Sequence, residues 1–187
     1  MDPQEPVPRD TPWPTVLGID PGTRATGYGA LVVTPEGPRL VACGCLRAPH
    51  NMDIARRLAR IGLELDGLLG RLRPHWVAVE AAFVARNVKS ALRIGEARGM
   101  VLSTAGRREL NVVEISPAEA KKAVIGHGGG SKPQVAAMVA LLLGARSLNV
   151  PADATDALAI ALAQVRRMTS PLNGARRTGS TSHGPHR

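Results

Sequence analysis

The sequence predicts an α/β domain built on a five-stranded mixed sheet flanked by helices. Three observations point there. Three apolar runs near the N-terminus are joined by tight turns, as in an antiparallel meander. Two further short apolar runs follow, each set off by a long helical stripe. Two of the five runs end on a carboxylate. At 187 residues the chain suits one domain of ordinary size, and its 44% apolar content supports a folded globule.

The elements can be taken in order. Residues 1–14 carry five prolines and several charges, so they are expected to form a flexible lead-in. Strands are expected at Thr15–Asp20, Gly27–Val33 and Leu40–Leu46, with turns at Pro21-Gly22-Thr23 and Pro35-Glu36-Gly37. From Met52 to Leu72, Ile54, Leu58, Ile61, Leu65, Leu68, Leu69 and Leu72 recur at helical spacing until Arg73-Pro74 stops the helix. Trp76–Glu80 is a short strand. A helix over 88–107, a strand over Asn111–Ile115 and a helix from Pro117 to Val124 follow, the last ending at Gly126. Two more helices are expected at Pro133–Leu143 and Asp153–Met168. The tail from residue 169 to 187 is rich in Gly, Ser, Thr, Pro and Arg and is expected to be disordered and basic, leaving residues 15–168 as the domain.

Formal net charge is +9, and residues 15–165 alone hold eighteen basic side chains against twelve acidic. A basic globule is the electrostatic footprint of a polyanion binder; the competing account is a general arginine bias. Cys43 and Cys45 are two apart in a strand, a spacing that does not favour a disulfide, and have no nearby His for a zinc site. A reduced setting fits. There is no apolar run of 18 residues, and the first residues lack a signal-peptide layout, so a soluble, cytoplasmic protein is expected.

Four carboxylates draw attention. Asp153 and Asp156, three apart at a helix start, share one face of its first turn. The simple account makes Asp153 the cap and Asp156 a favourable charge for the macrodipole. Asp20 and Glu80 sit at the C-terminal ends of strands, where sites form in open α/β sheets. Two acids at strand ends with two at a helix start are what a two-metal phosphodiester site requires. Two bare carboxylates about 4 Å apart would repel by roughly 4 kcal/mol at an effective dielectric of 20, so a purely structural cluster is unfavourable. Spacing alone does not bring the four together.

The stretches Leu17-Gly-Ile-Asp-Pro-Gly-Thr-Arg-Ala-Thr-Gly-Tyr-Gly, Val79-Glu-Ala-Ala-Phe-Val-Ala-Arg-Asn-Val-Lys-Ser-Ala-Leu, Gly95-Glu-Ala-Arg-Gly and Asp153-Ala-Thr-Asp-Ala-Leu-Ala-Ile-Ala closely resemble the RuvC family of bacterial Holliday-junction resolvases. The four blocks stand in the right order and at compatible spacing, and the resemblance covers residues 15–166. It implies an RNase H-like fold, a homodimer, and catalysis at Asp20, Glu80, Asp153 and Asp156 holding two Mg²⁺ ions, with Mn²⁺ as a substitute. Some relatives carry His where this chain has Asp153. The implied reaction is hydrolysis by metal-activated water that leaves 5′-phosphate ends, cut symmetrically in two strands of a four-way DNA junction. Branch-migration partners RuvA and RuvB are implied on the same basis.

Phe83, the only phenylalanine, lies three residues past Glu80. In a chain so poor in aromatics it looks like a tool for stacking on an unpaired base, against the simpler reading of core packing. The resemblance implies that it inserts at the junction centre. Lysine is rare too: Lys89, Lys121, Lys122 and Lys132 stand against twenty arginines. Lys121 and Lys132 match basic positions of the family that approach DNA and the active site, while Lys122 reads as a solvated helix residue. Arg86, Lys89 and Arg93 would line the helix start beside Phe83 and hold phosphates. Gly126-His-Gly-Gly-Gly-Ser-Lys132 is not a phosphate loop, because Pro133 follows the lysine; a DNA-contacting loop is expected, with His127 solvated or assisting the site. The stripe Ala91, Ile94, Ala97, Met100 and Val101 serves equally well as dimer interface or core.

Three other classes share part of this pattern. An actin-like or sugar-kinase ATPase would share Gly18-Ile-Asp-Pro-Gly-Thr but needs a second domain. A non-catalytic junction-binding module would have lost a carboxylate. Another RNase H-like nuclease would share the acids but not the Phe83 block.

Overall fold

The computed structural model describes residues 12–81 and 88–170. Its elements are β1 (Thr15–Asp20), β2 (Ala25–Thr34), β3 (Gly37–Arg47), α1 (Ile54–Leu72), β4 (Trp76–Glu80), α2 (Val88–Gly106), β5 (Asn111–Ile115), α3 (Pro117–Ile125), α4 (Lys132–Leu142) and α5 (Ala152–Thr169). This is the expected order. β2 and β3 are longer than their apolar runs because pairing carries them to the turn, which closes at Gly37 with φ 125. Pro14 already accepts a hydrogen bond from the Val33 amide at 2.9 Å, so sheet pairing starts one residue before β1. Most of the expected N-terminal lead-in (residues 1–11) and C-terminal tail (171–187) lies outside the described residues.

Local chemistry sets the helix ends. The Asp53 carboxylate accepts from the Arg56 amide at 2.9 Å and caps α1, and Arg73 turns left-handed just before Pro74. Ser116 caps α3 ahead of Pro117, and Gly126, at φ 84, ends it. Ser131 and Gln134 form a capping box at the start of α4.

The sheet order is β3-β2-β1-β4-β5. β1, β2 and β3 form the antiparallel meander, and β4 and β5 add in parallel on the other side of β1. Side chains alternate across the sheet, and two cores result. Leu17, Ile19, Val77 and Val79 face α1 and α2. Val16 and Ala78 face α3, α4 and α5. By the same alternation Asp20 and Glu80 fall on the α5 side. The register sets Ile19 beside Val79, so the two acids end their strands level with each other.

Helix α5 is buried along nearly all its length, from Ala154 to Val165 except Asp156, between the sheet and the α3/α4 pair. It rests on a glycine track. A Cβ at Gly18 would lie 2.0 Å from the Ala157 carbonyl oxygen, and one at Gly27 would lie 2.0 Å from that of Asp153. Only hydrogen at these positions lets the helix sit this low.

Helix α2 divides its apolar stripe in two. Ala97 and Val101 are fully buried, and Met100 packs over Gly62, so the C-terminal half of the stripe is core. The N-terminal half instead exposes Val88, Leu92 and Ile94. Among the described residues no helix is long and apolar enough to cross a membrane.

Candidate active site

Four elements supply the site. Asp20 ends β1, and the turn behind it is tied down by buried Thr26, whose hydroxyl donates to the Gly22 carbonyl at 2.9 Å. Glu80 ends β4 on its neighbour. Pairing with β5 continues past it, as the Ala81 amide donates to the Ile115 carbonyl at 2.8 Å. The first turn of α5 brings Asp153 and Asp156 over this end of the sheet. Lys132, the first residue of α4, points its ammonium at Asp156, with Nζ 3.2 Å from Oδ2.

The capping account of Asp153 does not hold. The cap position belongs to Pro151, no side chain makes a cap hydrogen bond, and Asp153 lies inside the first turn. Its Oδ2 instead lies 3.9 Å from Cys45 Sγ on β3.

Burial and mutual repulsion both act on the acids. Asp20 is pushed up from its ordinary 3.8 to about 7, first by burial and then by the charges of Glu80, Asp156 and Asp153; Lys132 pulls the other way. Burial raises Glu80 as well, with Asp156 adding to the rise. The ammonium of Lys132 is stabilised chiefly by Asp156, with smaller help from Asp20 and Asp153. Among the described residues, however, no three acidic, cysteine or histidine side chains close on a single point as a formed cation cage does. The two findings are compatible. Repulsion acts over several ångströms, whereas coordination needs oxygens about 2.0–2.6 Å from one centre. Four half-buried carboxylates against one ammonium still leave an excess of negative charge, which a hard cation would relieve.

The other expected residues fall elsewhere. Phe83 and Arg86 lie outside the described residues. Lys89 is exposed in the first turn of α2, and Arg93, one turn on, pairs with Glu96 at 3.5 Å. Lys121 is half-buried in the middle of α3, and Lys122 is exposed beside it. His127 is exposed, and its Nδ1 accepts from the Gly129 amide at 3.3 Å. Two features went unread in the sequence. No local pattern sets Cys45 beside Asp153, whereas Gly18, Gly27 and Gly29 carry the signal of a helix seat, since glycines inside strands signal close approach.

Comparison with known proteins adds a second line. The sequence model of the family described as crossover junction endodeoxyribonuclease RuvC matches residues 16–164. The crossover junction endodeoxyribonuclease RuvC of Chromohalobacter salexigens is 44% identical over 170 residues, covering 88% of this chain and 90% of that protein. The structure of Thermus thermophilus RuvC superposes with a TM-score of 0.74 at 34% identity, covering 82% of this chain and 95% of the other. The same protein in complex with Holliday junction substrate gives 0.74 at 35% identity, over 80% and 91%.

Proposed function

The chain belongs to the RuvC family of crossover junction endodeoxyribonucleases, and from that premise we propose that it resolves four-way (Holliday) DNA junctions by metal-dependent phosphodiester hydrolysis at Asp20, Glu80, Asp153 and Asp156. The carrying observation is the gathering of these four carboxylates, from residues up to 136 apart in the chain, at one end of one sheet face. An all-oxygen, strongly negative donor set suits Mg²⁺ or Mn²⁺ and does not suit a soft cation.

Bound there, two divalent ions would supply Lewis-acid activation of water and stabilisation of the leaving oxyanion, giving 5′-phosphate ends. The chain's own part is positioning. Strand pairing fixes the main chain of Asp20 and Glu80. Asp153 and Asp156 are carried on a helix whose N-terminal dipole favours their charge. Lys132 neutralises Asp156 and can turn its ammonium to a phosphate oxygen when DNA fills the site. Lys89, Lys121, Arg86 and Arg93 would hold backbone phosphates, and Phe83 would stack at the junction centre.

Cutting two strands symmetrically calls for two copies related by a two-fold axis. Exposed Val88, Leu92 and Ile94 support the N-terminal half of α2 as the face for the second copy. Action in the cytoplasm with RuvA and RuvB follows from the same family reading.

The test is cleavage of a mobile four-way junction in Mg²⁺, Mn²⁺ or Ca²⁺. Paired nicks bearing 5′-phosphates are expected with Mg²⁺ or Mn²⁺. Cleavage in EDTA, or none with either metal, would sink the proposal.

A further inference from the structure

Among the described residues, the thiol of Cys45 touches one of the four carboxylates and has no part in the proposed chemistry. Cys45 lies on β3 directly across from Gly27 of β2. Gly27 is also the residue whose missing Cβ makes room for the main chain of Asp153. The helix start is therefore seated on Gly27, and the Asp153 carboxylate lands beside the neighbouring thiol, Oδ2 to Sγ 3.9 Å. Helix α5 has no side-chain cap of its own. Cys45 thus reaches from another strand to the start of α5, with a donor for the Asp153 carboxylate.

We infer that Cys45 is a positioning residue for Asp153, its S–H donating to Oδ2 and fixing that carboxylate over Gly27, the residue paired with Asp20. The inference rests on the reading of Asp153 as a metal-holding carboxylate. It gives each α5 acid one anchor: Lys132 for Asp156 and Cys45 for Asp153. Asp20 and Glu80, at paired strand ends, have anchors in the backbone. Asp153 sits on a helix turn with free χ angles, so without a partner it would sample rotamers that face away from the other acids. Partners that orient a metal-holding side chain typically matter by about 10–100-fold in affinity. A thiol is a weak donor and the contact is long, which sets the expectation at the low end, roughly fivefold to tenfold.

The experiment is direct Mn²⁺ binding to the metal-free full-length protein, read as free Mn²⁺ by electron paramagnetic resonance. Four proteins are compared: parent, Cys45→Ala, Asp153→Asn and the double variant, with melting curves in EDTA recorded alongside. Cys45→Ala is expected to weaken Mn²⁺ binding roughly fivefold to tenfold. In the Asp153→Asn background it is expected to change nothing further, because its target is gone. A Cys45→Ala protein that binds Mn²⁺ like the parent, while Asp153→Asn binds it less well, overturns the Cys45 assignment alone. An equal Cys45→Ala effect in both backgrounds also overturns it, since it shows general loosening that the melting curves would register. Unchanged binding in Asp153→Asn overturns the reading of Asp153 and the Cys45 assignment with it.

Discussion

Asp20→Asn is expected to make the metal-free protein more stable at pH 8 while abolishing junction cleavage. The substitution keeps the shape of the side chain and removes its charge. In the folded chain Asp20 titrates near 7 instead of 3.8, because it is buried beside Glu80, Asp156 and Asp153. The folded state therefore binds this proton more tightly than the unfolded state does. Between pH 3.8 and about 7 the unfolded chain has released the proton and the folded chain has not, so stability falls as pH rises through that window. Below 3.8 both states are protonated and no cost exists. Above 7 the full cost is reached, about 4 kcal/mol at 1.36 kcal/mol per pH unit. Asparagine carries none of it. The expected gain is at most about 4 kcal/mol at pH 8 and shrinks to roughly 1.5–2 kcal/mol at pH 5.

Urea unfolding in EDTA at the two pH values, extrapolated to water, measures this directly. Added Mg²⁺ or Mn²⁺ should reverse the order at pH 8. The parent would then gain linkage stability, about 2.7 kcal/mol at a hundredfold excess over the dissociation constant, and the variant would gain far less. An Asn variant no more stable than the parent at pH 8 in EDTA would refute the account of a charge held against repulsion. So would a gain that does not depend on pH.

Other outcomes follow from the same structure. Gly18→Ala places a methyl 2.0 Å from the Ala157 carbonyl oxygen and 2.7 Å from the Ala161 nitrogen, so α5 must lift from the sheet. A loss of about 3 kcal/mol or more is expected in urea unfolding, and an unchanged midpoint would contradict the close seat. If six phosphates are neutralised per complex, the logarithm of the junction binding constant should fall against log salt with a slope near about −5, measured by anisotropy; a flat response would argue against a DNA-binding face. Phe83→Ala should slow cleavage more than it weakens binding, and unaltered kinetics would return Phe83 to ordinary packing.

Most elements were legible because local rules and tertiary packing agree. Apolar alternation and the Pro21-Gly22 turn end β1 at Asp20, and Ser116-Pro117 begins α3 where capping rules place it. The convergence of the acids was not legible from spacing. It depends on β4 inserting beside β1, some 60 residues away in sequence, and no local pattern states the order of strands in a sheet. The role of Asp153 was ambiguous for a different reason. A cap and a first-turn acid differ by two residues, within the error of any boundary read from sequence. The Cys45 contact depends on the register of β3 against β2, which shifts between Ala30 and Leu31. The α2 stripe was ambiguous because its two halves meet different neighbours. Its C-terminal half packs on α1, while its N-terminal half carries exposed apolar side chains.

Lys132 shows how a broken local rule can mark a site. It is the first residue of α4, where the helix dipole disfavours a cation by typically about 0.3–1 kcal/mol. The helix does not need it there, since the Ser131–Gln134 capping box already satisfies the first amides. No acid in that first turn offsets the charge. What offsets it is Asp156, 24 residues away on α5 and 3.2 Å distant. The exposed ammonium is thus stabilised by the site rather than by its own helix. In metal-free protein it is the cation nearest the cluster among the residues described. On the proposed function, a divalent ion held by Asp156 would free that ammonium at the site's edge, where a phosphate could meet it.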